Sequence, residues 1–175
     1  MVAGELRGRR IESPPGSDTR PTTDKVREAV FNALGSLDLV RDADVADLFA
    51  GTGALGIEAL SRGAAHCTFV ERDRQAVRIL RDNVERLGLG ARSRIVAADA
   101  RSIVGQFEVD LLLADPPYEF DGWVELLRVA RAPFVVAEAG RSLESLDGLE
   151  ASGFQVIRSK RYGRTWVTFF ERIDR

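Results

Sequence analysis

The sequence predicts an α/β domain on a doubly wound, mostly parallel sheet of seven strands. Three observations lead there. Short apolar runs alternate along the chain with stretches of helical periodicity, as strand–helix–strand units require. The first run enters a glycine-rich turn, Ala50-Gly51-Thr52-Gly53, that opens a helix. Later runs end in a carboxylate: Glu71, Asp99, Asp115 and Glu138. Open parallel sheets bind their ligands just beyond the carboxyl ends of the strands.

Residues 1–21 read as an arm or small hairpin outside the core, with a short strand around Leu6 to Ile11. Residues 22–175 form one domain. Thr22, Thr23 and Asp24 offer helix N-caps. Val26, Ala29, Val30, Ala33 and Leu34 then repeat with helical spacing, and Gly35 supplies a stop. Val45 to Phe49 is the first strand, Ala54 to Ser61 the next helix, and Gly63 its end. Cys67 to Val70 is the second strand. Asp73 caps a helix whose apolar face holds Ala76, Val77, Leu80, Val84 and Leu87, with Gly88 at its end. Arg94 to Ala98 and Leu111 to Ala114 are the third and fourth strands. A helix over Asp121 to Ala130 leads to the fifth, Phe134 to Ala137. Leu143 to Ser152 is helical in part. Phe154 to Lys160 and Thr165 to Glu171 flank Tyr162-Gly163 as an antiparallel pair.

The 175 residues suffice for one domain with a sizeable core, and 45% hydrophobic against 30% charged residues describes a globular protein. No apolar run approaches the ~20 residues of a membrane span, so no membrane is expected as a partner. Met1 to Arg10 has no apolar leader core, so a cytoplasmic location is expected. Cys67 is the sole cysteine and His66 the sole histidine, which leaves no disulfide and no expected metal site. The net charge of −2 counts mildly against nucleic-acid binding. Basic residues nevertheless cluster at Arg7, Arg9 and Arg10, at Arg20, Lys25 and Arg27, and at Arg158, Lys160, Arg161 and Arg164.

Gly51-Thr52-Gly53-Ala54-Leu55-Gly56 matches G-x-G-x-x-G, and Glu71 follows Gly51 by 20 residues. That is also the dinucleotide fingerprint, so an NAD-dependent oxidoreductase is an alternative. Three features favour another ligand. Asp47 lies inside the first strand, where a carboxylate suits a cationic group better than a pyrophosphate. Asp99 ends the third strand, where it can accept from an adenine amino group. No histidine-based or Tyr-x-x-x-Lys hydride-transfer apparatus is present. A ligand with an ammonium group, a ribose and an adenine fits Asp47, Glu71 and Asp99, and S-adenosylmethionine is such a ligand.

Asp115-Pro116-Pro117-Tyr118 follows the fourth strand. Neither proline donates to a ladder, and each keeps the residue before it out of the helical region. The result is a stiff lip carrying two acceptors, the Asp115 carboxylate and the Pro116 carbonyl, beside the Tyr118 ring. These suit a planar base with an exocyclic NH2. The plain alternative for each element is structural: a polar turn for the lip, a cap for Asp99, a solvated strand end for Glu71.

Asp47-Leu-Phe-Ala-Gly-Thr-Gly-Ala-Leu-Gly-Ile-Glu-Ala-Leu together with Asp115-Pro-Pro-Tyr resembles the class I, S-adenosylmethionine-dependent amino-methyltransferases, which have a Rossmann-like fold. Arg20-Pro-Thr-Thr-Asp-Lys-Val-Arg-Glu-Ala-Val-Phe-Asn-Ala-Leu resembles more specifically the bacterial 16S ribosomal RNA (guanine-N2)-methyltransferase D family. Arg7-Gly-Arg-Arg and Tyr162-Gly-Arg-Thr-Trp-Val-Thr agree with it. Members usually carry a longer apolar start than Met1-Val-Ala-Gly, so a shortened arm is expected.

The resemblance implies methyl transfer from S-adenosylmethionine to N2 of a guanine in 16S rRNA, within a 30S subunit or assembly intermediate, by a monomer. It implies cofactor contacts from Asp47, Phe49, Ala50, Gly51, Gly53, Glu71, Arg72, Asp99 and Ala100. Asp115, Pro116, Pro117 and Tyr118 would form the catalytic lip. Arg7, Arg9, Arg10, Arg20, Thr22, Lys25 and Arg27 would contact RNA. A DNA adenine-N6 methyltransferase shares the Asp-Pro-Pro-Tyr chemistry and is a second alternative.

Overall fold

The computed structural model describes residues 1–13 and 21–173, apart from the side chains of residues 21–23. Seven strands form one sheet in the order β3-β2-β1-β4-β5-β7-β6. They are β1 (Asp44–Leu48), β2 (His66–Glu71), β3 (Ser93–Ala97), β4 (Leu111–Ala114), β5 (Phe134–Ala139), β6 (Phe154–Tyr162) and β7 (Thr165–Arg172). Strands β1 to β5 pair in parallel, and β7 inserts antiparallel between β5 and β6. This is the predicted doubly wound, mostly parallel sheet with an antiparallel C-terminal pair. The order reverses between β1 and β4, which opens a crevice at their carboxyl ends.

Each face of the sheet is covered, so the central strands are apolar on both sides. One layer holds α1 (Pro21–Ser36), α2 (Ala54–Ser61) and α3 (Arg74–Arg86), whose Phe31, Leu34, Ile57, Leu60 and Leu80 pack with Val45, Leu111, Leu113 and Val136. The other holds α4 (Ala100–Ile103), α5 (Trp123–Val129) and the short α6 (Leu149–Ser152), where Trp123, Leu126 and Leu127 pack with Leu48, Leu112, Ala114 and Ala137. Successive residues of a strand face opposite layers. Hence Leu113 and Val136 point to the first layer, Ala114 and Ala137 to the second.

The expectations for α1 and for the arm need correction. Helix α1 begins at Pro21, four residues ahead of Lys25, and runs past Gly35 to Ser36. Proline is tolerated in a first turn because that N–H has no intrahelical partner. The stop is the left-handed Asp38, not Gly35. The partial helix expected within 143–152 is Leu149–Ser152. The arm forms turns rather than a strand at Leu6 to Ile11, and it does not stand outside the core. Leu6 is buried in the α1–α2–α3 layer. Val2 and Ala3 donate N–H bonds of 2.9 and 3.1 Å to Glu58 of α2, and Leu6 donates to Ser61 at 3.0 Å. Gly4 makes this seat fit, since a Cβ there would lie 1.7 Å from the Ser61 carbonyl oxygen.

Candidate active site

Every acidic side chain predicted to bind cofactor sits at the carboxyl edge of the sheet, with the lip beside them. The glycine loop between β1 and α2 begins with a backbone reversal: Phe49 has φ +61° and Gly51 φ +55°. A bulky residue in that region is uncommon, and such strain clusters at functional sites. Nothing lies within 4 Å of the position a Gly51 Cβ would take, so the loop's backbone faces open space. Gly53 (φ +90°) and Gly56 play a different part, because a Cβ on Gly56 would lie 2.3 Å from the Phe69 ring and 2.6 Å from Cys67 Sγ. These glycines let α2 close onto the sheet; Gly51 leaves room for a ligand.

The loop is pinned from three sides. Glu71 Oε2 accepts from Gly51 N at 2.8 Å, and its Oε1 accepts from Asp73 N at 2.7 Å. Asp47 Oδ2 accepts from Gly56 N at 2.8 Å. Asn83, fully buried on α3, donates to the Thr52 carbonyl and the Glu12 carbonyl, each at 3.1 Å, and accepts from Glu12 N at 2.7 Å. Asn83 thereby ties the loop to the N-terminal arm. Sequence reasoning missed it, yet a polar residue between Leu80 and Val84 on an apolar helix face was a readable signal.

Asp99 follows β3. Its Oδ1 caps α4 by accepting from Arg101 N at 2.9 Å, and its Oδ2 meets Arg72 and Arg101, each at 3.2 Å. The bonds from Arg101 hold its carboxyl below the usual range. The capping role and a place in the wall of the cleft described below therefore coexist.

The lip follows β4 as predicted. Asp115 continues the ladder by donating its N–H to Leu48 O at 3.4 Å, and Phe120 N donates to Pro117 O at 2.9 Å. Tyr118 is 58% exposed and its ring offers a flat surface beside the cleft. Its hydroxyl pairs with Thr165 Oγ1 at 3.1 Å, and one side of the ring rests on Gly140. Phe120 stands edge-on to Phe49 at 5.2 Å and to Trp123 at 5.0 Å. A cleft of about 680 Å³ joins the two halves, lined by Phe49, Glu71, Arg72, Asp99 and Ala100 on one side and by Asp115 to Tyr118 on the other. Asp47, Ala50, Gly51 and Gly53 lie beside this cleft rather than in its wall. A larger hollow of about 1120 Å³, between Asp44, Asp110, Arg131 and Arg172, lies at the amino ends of the strands, away from these groups.

Three carboxyls are pushed up. Burial raises Asp47 to about 7, against the Gly56 N–H bond that favours its charge, with Asp115 and Glu71 adding repulsion. Asp115 is reached by solvent in the cleft but is walled by protein, which limits its hydration and raises it to about 6. Glu138, on β5, rises to about 8 through burial and then through Asp115 and Asp47, opposed by Arg27. Glu138 was not among the expected site residues, although its place at a strand end was a signal.

The expected RNA contacts divide. Arg7, Arg9, Arg10 and Lys25 are exposed. Arg20 and the Thr22 side chain lie outside the described residues. Arg27 is buried rather than free at the surface: it bonds Asp24 at 2.8 Å and approaches the fully buried Glu58 at 3.8 Å. Its neighbours are the arm's anchor, so its charge is already engaged.

The model of the family described as Conserved hypothetical protein 95 matches residues 1–171. A Bacillus subtilis protein provisionally named rRNA methyltransferase YlbH is 34% identical over 185 residues, covering 98% of each chain. The Escherichia coli ribosomal RNA small subunit methyltransferase D is 41% identical over 120 residues, 67% of this chain and 59% of that one. A solved Escherichia coli structure provisionally named methyltransferase yhhF superposes with a TM-score of 0.85 at 32% identity, covering 100% of this chain and 98% of that one. The chain is a methyltransferase and belongs to the Conserved hypothetical protein 95 family, the family of the ribosomal RNA small subunit methyltransferase D proteins.

Proposed function

We propose that the protein transfers the methyl group of S-adenosylmethionine to the exocyclic N2 amine of a guanine in 16S rRNA, within a 30S subunit or an assembly intermediate. One arrangement carries the reading: the Asp115 carboxylate and the Pro116 carbonyl lie one strand from the glycine loop, and one cleft runs between the lip and the acids of β2 and β3. The donor chemistry fits the cofactor. Gly51 leaves its backbone open, Asp47 suits an ammonium, Glu71 suits ribose hydroxyls, and Asp99 suits an adenine amino group. Phe49, Ala50, Arg72 and Ala100 complete that contact, and no metal takes part. S-adenosylmethionine, when bound, supplies a methyl group already activated on a sulfonium.

The residues then have little to do beyond placement. Asp115 and the Pro116 carbonyl accept the two N–H bonds of the amine and turn its lone pair towards the methyl. Pro117 keeps the lip extended, and Tyr118, steadied by Thr165 and Gly140, stacks on the base. Transfer forms the N–C bond and breaks the C–S bond; the surplus proton on nitrogen passes to Asp115 or water. Orientation of two reactants supplies most of the rate. A paired or stacked guanine must be flipped out to reach the lip. Arg7, Arg9, Arg10, Arg20, Thr22 and Lys25 hold RNA, and the enzyme works as a cytoplasmic monomer.

Labelled-methyl transfer to total rRNA, 30S subunits and duplex DNA, followed by nucleoside analysis, tests the reading. N2-methylguanosine from the subunit or its RNA is the expected product. N6-methyladenine from DNA would move the protein to the adenine methyltransferases that share the lip.

A further inference from the structure

Glu138 stands next to the lip, and the reaction described above gives it nothing to do. The register Leu113↔Val136 and Ala114↔Ala137 between β4 and β5 continues to Asp115 beside Glu138. Parallel strands lie about 4.8 Å apart. Asp115 comes two residues after Leu113 and Glu138 two after Val136, so both point to the first helical layer, as Asp47 does towards α2. A base whose amine is held by Asp115 and whose edge runs along the strand ends towards β5 presents its neighbouring ring atoms to Glu138. In guanine those atoms are N1–H and then O6, one donor and one acceptor. A neutral carboxyl offers the complement, one carbonyl and one hydroxyl.

We propose that Glu138 reads this edge of the target guanine, its carbonyl accepting N1–H and its hydroxyl donating to O6, while Asp115 and the Pro116 carbonyl hold the amine. The inference rests on the guanine reading above. Burial, and then the charges of Asp115 and Asp47, favour the protonated form of Glu138 against the opposing Arg27, the form a hydroxyl donor requires.

The test compares 16S RNA carrying guanosine or 2-aminopurine at the position the wild-type enzyme methylates, ligated site-specifically and reconstituted into subunits. 2-Aminopurine keeps the amine but lacks N1–H and O6. Wild type should prefer guanosine in kcat/KM by about tenfold or more, the worth of one good base contact. E138Q should keep the preference, because its amide presents a carbonyl and an N–H in the same places. E138A should flatten it, by losing guanosine turnover while 2-aminopurine turnover stays put.

A wild-type enzyme that treats the two bases alike overturns the proposal without any variant. So does an E138A that slows both equally, as a merely structural role would, or an E138Q that flattens the preference as E138A does. Loss of S-adenosylmethionine affinity in E138Q, read by calorimetry, would assign Glu138 to the cofactor instead. Absence of N2-methylguanosine with wild type on unmodified RNA is a separate failure, that of the guanine reading itself.

Discussion

Asp115 and Asp47 are both carboxyls that burial raises. On the proposed reaction Asp115 accepts most strongly from the amine when ionised, and burial raises its carboxyl to about 6. The rate of methyl transfer should therefore rise through about pH 6, and kcat/KM profiles check this. D115A should lower turnover by about 10²-fold or more, while S-adenosylmethionine affinity stays within a few-fold; calorimetry beside single-turnover kinetics separates the two. Asp47 is 1% exposed and raised from 3.8 to about 7. The folded state holds that proton more tightly than the unfolded chain. Its contribution to stability is thus fully present below about pH 4 and lost as pH rises towards 7. D47N keeps an acceptor for Gly56 N and removes the titration. It should be more stable than wild type at pH 8, by on the order of 3 kcal/mol, with the difference vanishing near pH 4. Urea midpoints across that range measure it, and weaker cofactor binding should accompany the gain.

The element that organises the site is the β1–loop–α2 turn, and its glycines separate by mechanism. G56A drives a Cβ into the Phe69 ring and Cys67, both buried. Overpacking of this kind costs about 1–3 kcal/mol, visible as a lowered urea midpoint. G51A meets no atom within 4 Å and carries only its φ of +55°, a strain of about 1 kcal/mol. Its larger effect should be on cofactor affinity, because the new methyl occupies the loop's open side. The G-x-G-x-x-G spacing marked this turn in the sequence, but a spacing does not say which glycine serves packing and which faces open space. Only the approach of α2 to β2 decides that. The start of α1 is a similar case. Thr22 to Asp24 read as caps, and Pro21 is where the helix begins, because a proline in a first turn looks like a breaker until its neighbours are known.

At the scale of the whole molecule, the N-terminal arm, α1 and α2 meet on one buried carboxylate. Glu58 accepts from Val2, Ala3 and Arg62 Nε, the last at 2.8 Å, with Arg27 at 3.8 Å. R27A should destabilise the fold by about 2 kcal/mol, the order expected when a buried acid is deprived of a charged partner. It should leave the salt dependence of RNA binding unchanged. R9A with R10A should do the reverse: the arm stays seated, and the slope of log affinity against log salt falls by about 0.7 for each phosphate no longer neutralised. Filter binding of rRNA at several salt concentrations, alongside thermal melts, tells the two apart. An Arg27 variant that flattens the slope would return that residue to the RNA surface.

The succession of strands and helices, the glycine loop and the carboxylates at strand ends were all legible in the sequence. Each of these is a local matter of periodicity, turn chemistry and position in a strand. Asp47, Glu71, Asp99 and Asp115 were legible because an acid within or at the end of an apolar run stands out from its neighbours. Tertiary structure alone decided what each acid faces. The β4–β5 register brought Glu138 beside Asp115, although 23 residues of chain separate them. Packing of the arm on α2 turned Arg27 from a surface cation into a buried partner of Glu58, and Glu12 of the arm gave Asn83 two of its hydrogen bonds. Such assignments depend on contacts between segments far apart in the chain, and hydrophobic patterning fixes which face is buried without fixing which charges meet there.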